Sequence, residues 1–410
     1  MAKAVAKRKN KKVTLGDIPH VGPGTPCGEW FRRYWVVVGT AQELHDIPQA
    51  VKVLGEELVL FRDPSGEVGL LGEHCPHRGA SLEYGDIEDG GLRCPYHGWL
   101  FNIHGQCLEM PAEPKDSKFC QKVKHHSYPV KELGGLLFTY MGPDTANPPP
   151  LPQYAPLVER SGQWQIEPVR HAEYNWFNFF ENSADPAHVC ILHRHAGYGQ
   201  QTWGNQFFSY TNMPHFEFVE MDYGMKVVMT KPGAESGTEF VDEMSLALPS
   251  IVQVGDTEFV HAKVDAAALI KAGSQCEHWM FVTPSDDDHF MLFTADNYRG
   301  SETNFFGKLK ALRAKETPAE EVMPYDKRNF MPYKGNVRKE DLVTQGTQGL
   351  LGERTEQLGV SDRGVIRFRK IVLDAIETAL AGGQPKGTVD KSRANKLFRL
   401  DTRVGVRQQN

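Results

Sequence analysis

Two pairs of metal-binding side chains stand close together in the first third of this chain. Cys75-Pro76-His77 is followed by sixteen residues and then by Cys94-Pro95-Tyr96-His97. Each Cys/His pair is too closely spaced to be part of a disulfide framework, so two thiolates and two imidazoles would form one four-ligand metal site. Proline and glycine punctuate the apolar runs around each pair, which predicts that the pairs lie at the tips of two β-hairpins.

Two inorganic groups accept this set of ligands. Zinc takes two cysteines and two histidines in structural sites. A Rieske [2Fe–2S] cluster takes the same four residues, with histidine replacing cysteine on one of its two irons. The residue types and their spacing leave both groups open.

The residues that surround the ligands favour the cluster. C-P-H-R-G-A and C-P-Y-H-G-W resemble the cluster loops of the Rieske ring-hydroxylating oxygenases. The resemblance implies that the inner iron is held by Cys75 and Cys94 and the outer iron by His77 and His97. Respiratory Rieske proteins have a further cysteine in each loop, and the two form a disulfide; the matching residues here are Ala80 and Tyr96. We therefore expect fewer hydrogen bonds to the sulfurs and a potential toward the low end of about −150 to +300 mV.

A second group of possible ligands follows in the spacing D-x-x-H-x-x-x-x-H, formed by Asp185, His188 and His193. An Fe(II) oxygenase needs two imidazoles and one carboxylate on one face of the metal, with the remaining positions open. On a regular helix the two histidines are roughly 140° out of phase. A distorted turn, such as a π-bulge, would bring both to one metal. On the alternative interpretation, Asp185-Pro186 is simply a helix N-cap with proline at N1.

With Glu181 in front, this stretch resembles the iron motif of the oxygenase α subunits. The resemblance implies that His188 and His193 bind a mononuclear Fe(II). It also implies that Asp185 is a catalytic residue and not a ligand, because it would hydrogen-bond to His188 of one protomer and to His97 of its neighbour. Such a carboxylate orients an imidazole and tunes the metal.

The third iron ligand must be a carboxylate farther along the chain. The candidates are Glu340, Asp341, Glu353, Asp362 and Asp374. The segment that begins K-E-D-L-V-T-Q resembles the C-terminal motif of phthalate dioxygenase-like members, where the aspartate of such an acidic pair completes the triad, and this selects Asp341. Gln345 lies one helical turn later and is expected on the same pocket face. Asp362 is better explained by interaction with the dipole of its helix.

Length and composition indicate an ordinary two-domain globular protein. The chain has 410 residues, of which 40% are hydrophobic and 24% charged, and its net charge of −6 gives no reason to expect a nucleic-acid partner. We see no apolar run of membrane-spanning length and no secretory signal. Seven cysteines are an odd number, and five of them are scattered outside the cluster motif. Free thiols of this kind predict a reducing, cytoplasmic environment.

The chain divides into four expected segments. Residues 1–24 are predicted to be a basic flexible tail, 25–147 an antiparallel β Rieske domain, 153–383 the iron-binding catalytic domain, and 384–410 a peripheral polar tail. The proline-rich residues 143–152 would separate the domains. Strands followed by helices predict an α+β catalytic domain, and the resemblance implies a helix-grip (START-like) antiparallel sheet. A helix from near Ser361, with an apolar stripe through Val365 and Phe368, should end at Gly382-Gly383.

The resemblance implies the terminal oxygenase of a multicomponent system. Electrons from a ferredoxin or an NAD(P)H-dependent reductase would enter at the cluster and pass through His97, Asp185 and His188 to the iron, where O₂ is used. No NAD or flavin fingerprint appears in the sequence, so a partner protein must oxidise NAD(P)H. The bridging aspartate implies a head-to-tail ring, most simply a homotrimer.

The expected substrate is an aromatic acid, which the enzyme would hydroxylate or O-demethylate; cis-dihydroxylation of the ring is the alternative. A carboxylate substrate needs a cation in the pocket. The candidate cations are Arg194, Lys226 and Lys263, and the candidate apolar lining residues are Trp203, Phe207, Phe208 and Phe216. Two other classes remain open at this point. A zinc-stabilised hydrolase would use the same ligands, whereas a pure electron carrier would leave the second group of ligands without a purpose.

Overall fold

Short antiparallel strands make up the first third of the molecule. The computed structural model describes residues 12–159, 163–195, 213–233, 236–255, 275–300, 320–321, 337–400 and 402–408. The first strands are β1 (Trp35–Thr40), β2 (Gln49–Val53), β3 (Glu56–Arg62), β4 (Val68–Gly72), β5 (Asp86–Glu88), β6 (Gly91–Arg93), β7 (Leu100–Phe101), β8 (Cys107–Glu109), β9 (Ser127–Tyr128), β10 (Val130–Leu133) and β11 (Leu136–Tyr140). They form three sheets, ordered β1-β11-β10, β2-β3-β4-β9 and β5-β6-β7-β8.

A larger sheet dominates the rest of the chain. Its strands are β13 (Gln163–Ile166), β14 (Arg170–Ala172), β15 (His215–Glu220), β16 (Gly224–Pro232), β17 (Thr238–Ala247), β18 (Ile251–Gly255), β19 (Gln275–Pro284), β20 (Phe290–Arg299), β21 (Glu320–Glu321) and β23 (Val404–Gln408). The main path runs β15-β16-β17-β18-β19-β20-β14-β21, with β13 pairing to β20 and β23 to β17. A small parallel pair, β12 (Gln153–Tyr154) and β22 (Leu397–Phe398), lies beside it. The α+β fold class with antiparallel sheets is confirmed.

Six α-helices accompany these strands in the described part of the chain. They are α1 (Pro26–Phe31), α2 (Ala155–Glu159), α3 (Trp176–Asn182), α4 (Pro186–Ile191), α5 (Val337–Gly346) and α6 (Arg363–Leu380). The apolar stripe predicted for α6 is buried, and Gly382 follows the helix with φ +83°. A glycine is favoured there because this left-handed conformation strains other residues. None of the described helices is long and apolar enough to cross a bilayer.

Different parts of the chain pack on the two faces of the large sheet. Cross-strand partners in a ladder share a face, so the register separates His278 and Asp296 on one side from Trp279 and Ala295 on the other. We call the first the helix face, because Phe290, on the same side as Asp296, packs against Phe179 of α3 with ring centroids 5.5 Å apart. On this face α6 also comes close, since a Cβ added at Gly364 would collide with the Phe218 ring.

The opposite face, which we call the junction face, meets residues of the first third of the chain. Tyr154 lies against Phe281, with ring centroids 5.4 Å apart, and Phe138 contacts the same ring edge-on at 6.0 Å. These aromatic contacts bury large apolar surface where the two parts of the chain join.

A buried ion-pair network fastens α3 to α6. The Glu181 carboxylate, 5% exposed, accepts hydrogen bonds from Arg369 Nε at 2.7 Å and from Arg354. Arg369 in turn makes two hydrogen bonds with Glu356, at 2.6 and 2.8 Å. Burial alone would lower the pKa of the Arg369 guanidinium, but the two carboxylates outweigh it and raise that pKa. The network therefore holds the end of α3 in a defined position.

Both predicted tails need correction. Residues 13–24 belong to the folded structure, because Val13, Ile18 and Val21 are buried, and His20 is 2.7 Å from Asp287. The region after residue 383 is not merely peripheral, because β22 and β23 pair with other strands and Leu400 is 4% exposed. The prediction from composition was wrong here because a few buried apolar residues are enough to anchor a polar stretch to the fold. Residues 1–11 lie outside the described residues.

The Glu181 network predicts a large stability effect for one substitution. Glu181→Gln keeps the shape of the side chain but leaves the buried guanidinium of Arg369 and the partly buried one of Arg354 short of a counter-charge. We expect the free energy of unfolding to fall by about 3 kcal/mol, at the lower end of the range for breaking a buried pair, because Arg369 keeps Glu356. Denaturant titration measures it. Asp374→Asn, which removes the exposed Lys370–Asp374 pair, is the control and should change stability little; equal stability of the two variants would contradict the network's role.

Candidate metal centres

The two cysteine-containing loops have the same backbone plan. In the first, Cys75 N donates to Ala80 O at 2.8 Å and Gly79 N donates to Cys75 O at 2.9 Å. In the second, Cys94 N donates to Trp99 O at 2.8 Å and Gly98 N donates to Cys94 O at 3.1 Å. Each turn needs a glycine at its fifth position, since Gly79 and Gly98 have φ of +76° and +72°. The turns point the ligands of both loops to one place.

The four predicted cluster ligands come together at this place. Cys75 and Cys94 are 2% and 3% exposed and touch each other, whereas His77 is exposed and His97 half-buried. The two imidazole rings lie 4.5 Å apart. Two buried sulfurs on the inside and two imidazoles on the outside is the arrangement that an inner and an outer iron require.

The chemistry of these donors fits a bound cluster. Burial raises the pKa of the Cys75 thiol to about 11, and the adjacent Cys94 thiol adds to this rise, although the backbone amides of His77 and Arg78 oppose it. A thiol of this kind becomes a thiolate only beside a strong positive charge, which metal ions supply. His97 Nδ1 is buried and has no hydrogen-bond partner among the described residues. Ligation to a metal gives this nitrogen a partner.

A single zinc ion fits the same residues poorly. A tetrahedral ion requires all its donor atoms to lie within a few ångströms of one another. In the described part of the chain, two groups of donors converge to within 4.8 Å, and the set of Cys75, His77, Cys94 and His97 is not among them. A two-iron cluster separates the sulfur pair from the imidazole pair and tolerates this spread.

Aromatic side chains connect the cluster loops to the surface. The indole of Trp99, which is buried, stacks on His77 with ring centroids 4.5 Å apart and planes inclined by 11°. The ring of Phe119 packs edge-on against Trp99, with ring centroids 5.9 Å apart, and Phe119 is 46% exposed. Tyr96 is exposed beside His97, and the Arg78 guanidinium lies 5.4 Å from its ring. Trp99 therefore covers an imidazole of the cluster site.

The histidines of the second group lie on the short helix α4 and on the turn that follows it. Asp185 caps α4, because its Oδ1 accepts the Ala187 N–H at 3.1 Å, and Pro186 occupies N1. After Ile191 the chain tightens into a 3₁₀ turn, Leu192–His195. This change of pitch, and not the predicted π-bulge, accompanies the convergence of the two imidazoles, whose ring centroids are 5.4 Å apart.

Asp341 of α5 completes a compact set of donors with the two histidines. One donor atom each from His188, His193 and Asp341 lies within 4.8 Å of the others. Asp341 Oδ1 is 3.7 Å from His188 Nε2 and 3.4 Å from His193 Nε2. Two imidazoles and one carboxylate on the same side of a small space are what a non-heme Fe(II) site provides.

The backbone and a second carboxylate orient the imidazoles. His188 Nδ1 hydrogen-bonds to the backbone carbonyl of Asp185, which leaves Nε2 facing the other donors. His193 Nδ1 is 3.0 Å from Glu340 Oε2, and Glu340 is 1% exposed. Glu340 therefore lies behind the imidazole, whereas its neighbour Asp341 lies in front of it. Partners of this kind fix which ring nitrogen is free to bind metal.

The electrostatics of the set suit a bound cation. Burial lowers the pKa of His188, and Asp341 only partly opposes this, which favours the neutral imidazole. Burial also acts to lower the pKa of His193, but Asp341 and Glu340 outweigh it and raise the pKa to about 9. Burial acts to raise the pKa of Asp341, yet the two imidazoles and Asn182 hold it below its usual range. The space between these groups favours positive charge, which a divalent ion provides.

Asn182 is a residue of this site that the sequence analysis missed. Its Nδ2 lies 3.1 Å from His188 Nε2 and 3.4 Å from Asp341 Oδ1. It occupies the last position of α3, directly after the buried Glu181. Its position directly after Glu181, the residue that opens the iron motif, was the available signal.

The remaining predicted residues lie elsewhere or outside the described residues. Glu353 and Asp374 are exposed, and Asp362 accepts the Gly359 N–H just before α6. Gln345 does not share the metal-facing side with Asp341, because its Oε1 accepts the Tyr174 hydroxyl. No partner for the Asp185 carboxylate besides the Ala187 N–H is present among the described residues, so its predicted bond to His188 runs through the backbone carbonyl instead.

Of the three candidate cations for the pocket, Lys226 is on the wrong side of the sheet. Lys226 pairs across the ladder with Ser245 and lies 3.2 Å from Glu243, on the junction face. Lys231 lies on the helix face, is 6% exposed, and interacts electrostatically with Cys190 of α4. Burial lowers its pKa. Phe216 lies on the helix face with Met229; Lys263, Trp203, Phe207, Phe208 and the Arg194 side chain fall outside the described residues.

Comparison with known proteins identifies relatives along nearly the whole chain. A family profile described as "Rieske [2Fe-2S] domain" matches residues 34–132. The tert-butanol monooxygenase / tert-amyl alcohol desaturase oxygenase subunit of Aquincola tertiaricarbonis is 33% identical over 90% of this chain and 77% of its own length. The 5,5'-dehydrodivanillate O-demethylase oxygenase subunit of Sphingobium is 31% identical over 94% of this chain and 85% of its own.

A solved structure has the same fold. NdmB of Pseudomonas putida CBB5 superimposes with a TM-score of 0.63 at 20% identity, covering 86% of this chain and 93% of its own. At this identity the match speaks for the fold alone. It places the chain's β-rich first third and its larger, sheet-rich second part in one known architecture.

The geometry predicts separate roles for the adjacent carboxylates of α5. Asp341→Ala should abolish binding of the mononuclear metal and leave the cluster in place. Glu340→Ala should lower the affinity for the mononuclear metal about 10–100-fold, because His193 loses its orienting partner. Glu340→Gln should lower this affinity less, because the amide oxygen still accepts a hydrogen bond. Iron per chain after dialysis against a chelator, together with the cluster's absorption spectrum, measures both effects.

Glu353→Ala, which removes an exposed carboxylate of the same segment, is the matched control and should bind iron like the wild type. Full mononuclear iron in Asp341→Ala would show that this carboxylate is not the third ligand.

Proposed function

Because this chain belongs to the Rieske non-heme iron oxygenases, in the phthalate dioxygenase-like group, and is the terminal oxygenase of a multicomponent system, we propose that it hydroxylates or O-demethylates an aromatic carboxylate. Its cofactors are a Rieske [2Fe–2S] cluster and a mononuclear iron. The zinc-stabilised hydrolase and the pure electron carrier are thereby set aside. Cis-dihydroxylation of an aromatic ring remains the alternative reaction.

The observation that supports this proposal is the presence of two donor sets with different chemistry in one chain. We propose that the cluster is held by Cys75, His77, Cys94 and His97, and the iron by His188, His193 and Asp341. When bound, the cluster supplies single electrons and the iron supplies a site for O₂ activation. The chain contributes by favouring the neutral form of His188, by holding Glu340 behind His193, and by placing Asn182 beside His188 and Asp341.

The residues of the pocket are a better guide to the substrate than the names of the relatives. One relative is named for tertiary alcohols and another for a methoxylated aromatic acid. Lys231 provides the argument for an acid, since it is a buried cation on the helix face, near the helix that carries His188. A substrate carboxylate would compensate the loss of hydration that lowers the pKa of this lysine.

Electrons are proposed to enter where the cluster ligands reach the surface. His77 is exposed, and Trp99 and Phe119 extend from it toward solvent. The four lysines between residues 115 and 124 are exposed around Phe119. They are Lys115, Lys118, Lys122 and Lys124. An acidic ferredoxin or a reductase with an acidic face would be attracted to this surface.

Transfer to the iron is proposed to cross a subunit boundary in a homotrimeric ring. Asp185 keeps one carboxylate oxygen available after capping α4, and its backbone carbonyl already orients His188. A carboxylate in this position can accept a hydrogen bond from an imidazole such as His97 on a neighbouring copy. Heterologous contacts of this type close into rings. The described cysteines are free, which agrees with the proposed cytoplasmic location.

A single-turnover assay tests the reaction. The reduced protein is mixed with O₂ and a panel of methoxylated and unsubstituted aromatic acids, each matched with its neutral methyl ester. We expect formaldehyde from the methoxylated acids or a phenol from the others, and a weaker response to the esters. In Lys231→Met the advantage of acid over ester should shrink about tenfold or more, whereas Lys226→Met should resemble the wild type.

His188→Ala is the negative control for this assay, because it should keep the reddish-brown colour of the cluster and lose turnover. Formation of cis-diols alone would favour the alternative reaction. Failure of every aromatic acid and ester to yield product, in protein with both metals loaded, would reject the aromatic substrate class.

The ring proposal predicts an electron-transfer defect in Asp185→Asn. Asparagine is as good an N-cap as aspartate, so α4 and both metal sites should stay intact. The charge that stabilises the bridged imidazole is lost, so reoxidation of the reduced cluster by O₂ and substrate should slow by one or more orders of magnitude. Stopped-flow absorbance follows this step. Normal cluster reoxidation in the variant, or a monomer that turns over at full rate, would contradict the proposed bridge.

A further inference from the structure

A cavity of about 500 Å³ lies on the junction face of the large sheet. Its floor is formed by side chains of β17, β18 and β19, among them Glu243, Gln253 and Trp279, which the ladder register places on the same side. On the opposite face, α3 packs against Phe290, and Lys231 interacts with Cys190 of α4, the helix that carries the proposed iron ligand His188. The cavity is therefore separate from the catalytic pocket, and its size is that of a small-molecule site.

The cavity exists because β17 changes partner in its middle. The first half of β17, up to Asp242, pairs with β23, and the second half, from Met244, pairs with β18. Glu243 lies at this fork, and its Oε2 accepts the Arg403 N–H at 2.9 Å. The two partner strands diverge from this point and leave a space between them, which is covered by the chain around Leu400 and by the start of α2.

Two buried polar atoms line this space without a partner. Gln253 is 2% exposed and Trp279 is 1% exposed, and the two residues face each other across the ladder. Gln253 Oε1 and Trp279 Nε1 have no hydrogen-bond partner among the described residues. Proteins rarely bury an acceptor and a donor side by side without partners. A ligand that offers one acceptor and one donor would satisfy both.

The charges around the mouth favour an anion. Four arginines line the cavity, against the two carboxylates of Glu243 and Glu277. Three of the arginines have carboxylate partners: Arg299 with Glu277, Arg399 with Glu159, and Arg407 with Glu239. The guanidinium of Arg403 has none in the part of the chain that the structure describes. It is exposed at the rim, next to its own backbone contact with Glu243, and can bind a carboxylate in a bidentate manner.

We infer that this cavity is a binding site for a small aromatic carboxylate that carries a hydroxyl group. The carboxylate would bind Arg403, the ring would lie against the apolar wall formed by Pro156, Val241 and Leu400, and the polar groups would reach Gln253 and Trp279. A simple inorganic anion would leave the apolar wall and Gln253 Oε1 unused. The site lies where the start of α2 meets the C-terminal strands, so an occupant contacts both. This inference does not depend on the substrate proposed above.

Calorimetric titration of the full-length holoprotein with 4-hydroxybenzoate tests the inference. Arg403→Gln, at the exposed rim, and Gln253→Leu, in the interior, should each weaken one binding event about tenfold or more and leave turnover unchanged. Arg393→Gln removes an exposed arginine outside the cavity and is the matched control. Binding in Lys231→Met separates this event from any event in the catalytic pocket.

The comparison of probes defines the ligand class. Benzoate should bind more weakly than 4-hydroxybenzoate because it lacks a donor for Gln253, phenol should bind more weakly because it lacks the charge, and inorganic phosphate should not compete. Equal binding of 4-hydroxybenzoate by the wild type, Arg403→Gln and Gln253→Leu would overturn the site. Competition by phosphate at the same concentration as 4-hydroxybenzoate would overturn the aromatic specificity. Failure of the wild-type protein in the single-turnover assay, by contrast, bears only on the proposed function.

Discussion

The catalytic half of the molecule depends on one buried carboxylate. Glu181 receives hydrogen bonds from two arginines that come from distant parts of the chain, one before α6 and one within it. Burying charges is unfavourable unless they are paired with good geometry. The pairing fixes the end of α3, and the next residue, Asn182, is already at the metal site. The positions of α4 and its histidines follow from this anchor.

The two metal centres are built according to different principles. The cluster ligands lie within 23 residues, on two turns with the same hydrogen-bond plan, so local backbone geometry positions them. The mononuclear site joins α4 to α5, about 150 residues farther along the chain. Its geometry depends on helix packing, and its ligands are oriented by Glu340 and by a backbone carbonyl. A disturbance of the core should therefore affect the second centre before the first.

The large sheet separates two environments that share the same strands. Its helix face holds the buried polar residues near the catalytic helices, including Lys231 and the His278–Asp296 pair at 2.5 Å. Its junction face receives aromatic side chains from the first third of the chain and contains the arginine-rimmed cavity. Because successive residues of a strand alternate between faces, one strand such as β17 contributes to both environments. The C-terminal strand β23, which pairs with β17, helps to shape the junction face.

Some of these features were readable from the sequence because they depend on neighbouring residues. Cys-x-His, Cys-x-x-His and their glycines specify two turns, and the apolar stripe of α6 specifies its buried side. The order of strands followed by helices in the catalytic domain was also predicted, although β22 and β23, which lie in a polar context, were assigned to a peripheral tail. Asp341 was selected by resemblance, and the structure places it within 4.8 Å of both histidines.

Tertiary structure alone decided which residues face one another across the sequence. Lys226 and Lys231 belong to the same strand, and their odd spacing puts them on opposite faces of the sheet. The packing of α3 and α6, and not the strand itself, decides which of these faces meets the catalytic helices. Glu340 and Asp341 are adjacent acids. Only the packing of α5 places Glu340 beside Nδ1 of His193 and Asp341 beside Nε2 of the same ring. The sequence determined the ligand types and the local turns, because these are short-range. Faces, partners and cavities are long-range properties, and they arise only when the elements pack.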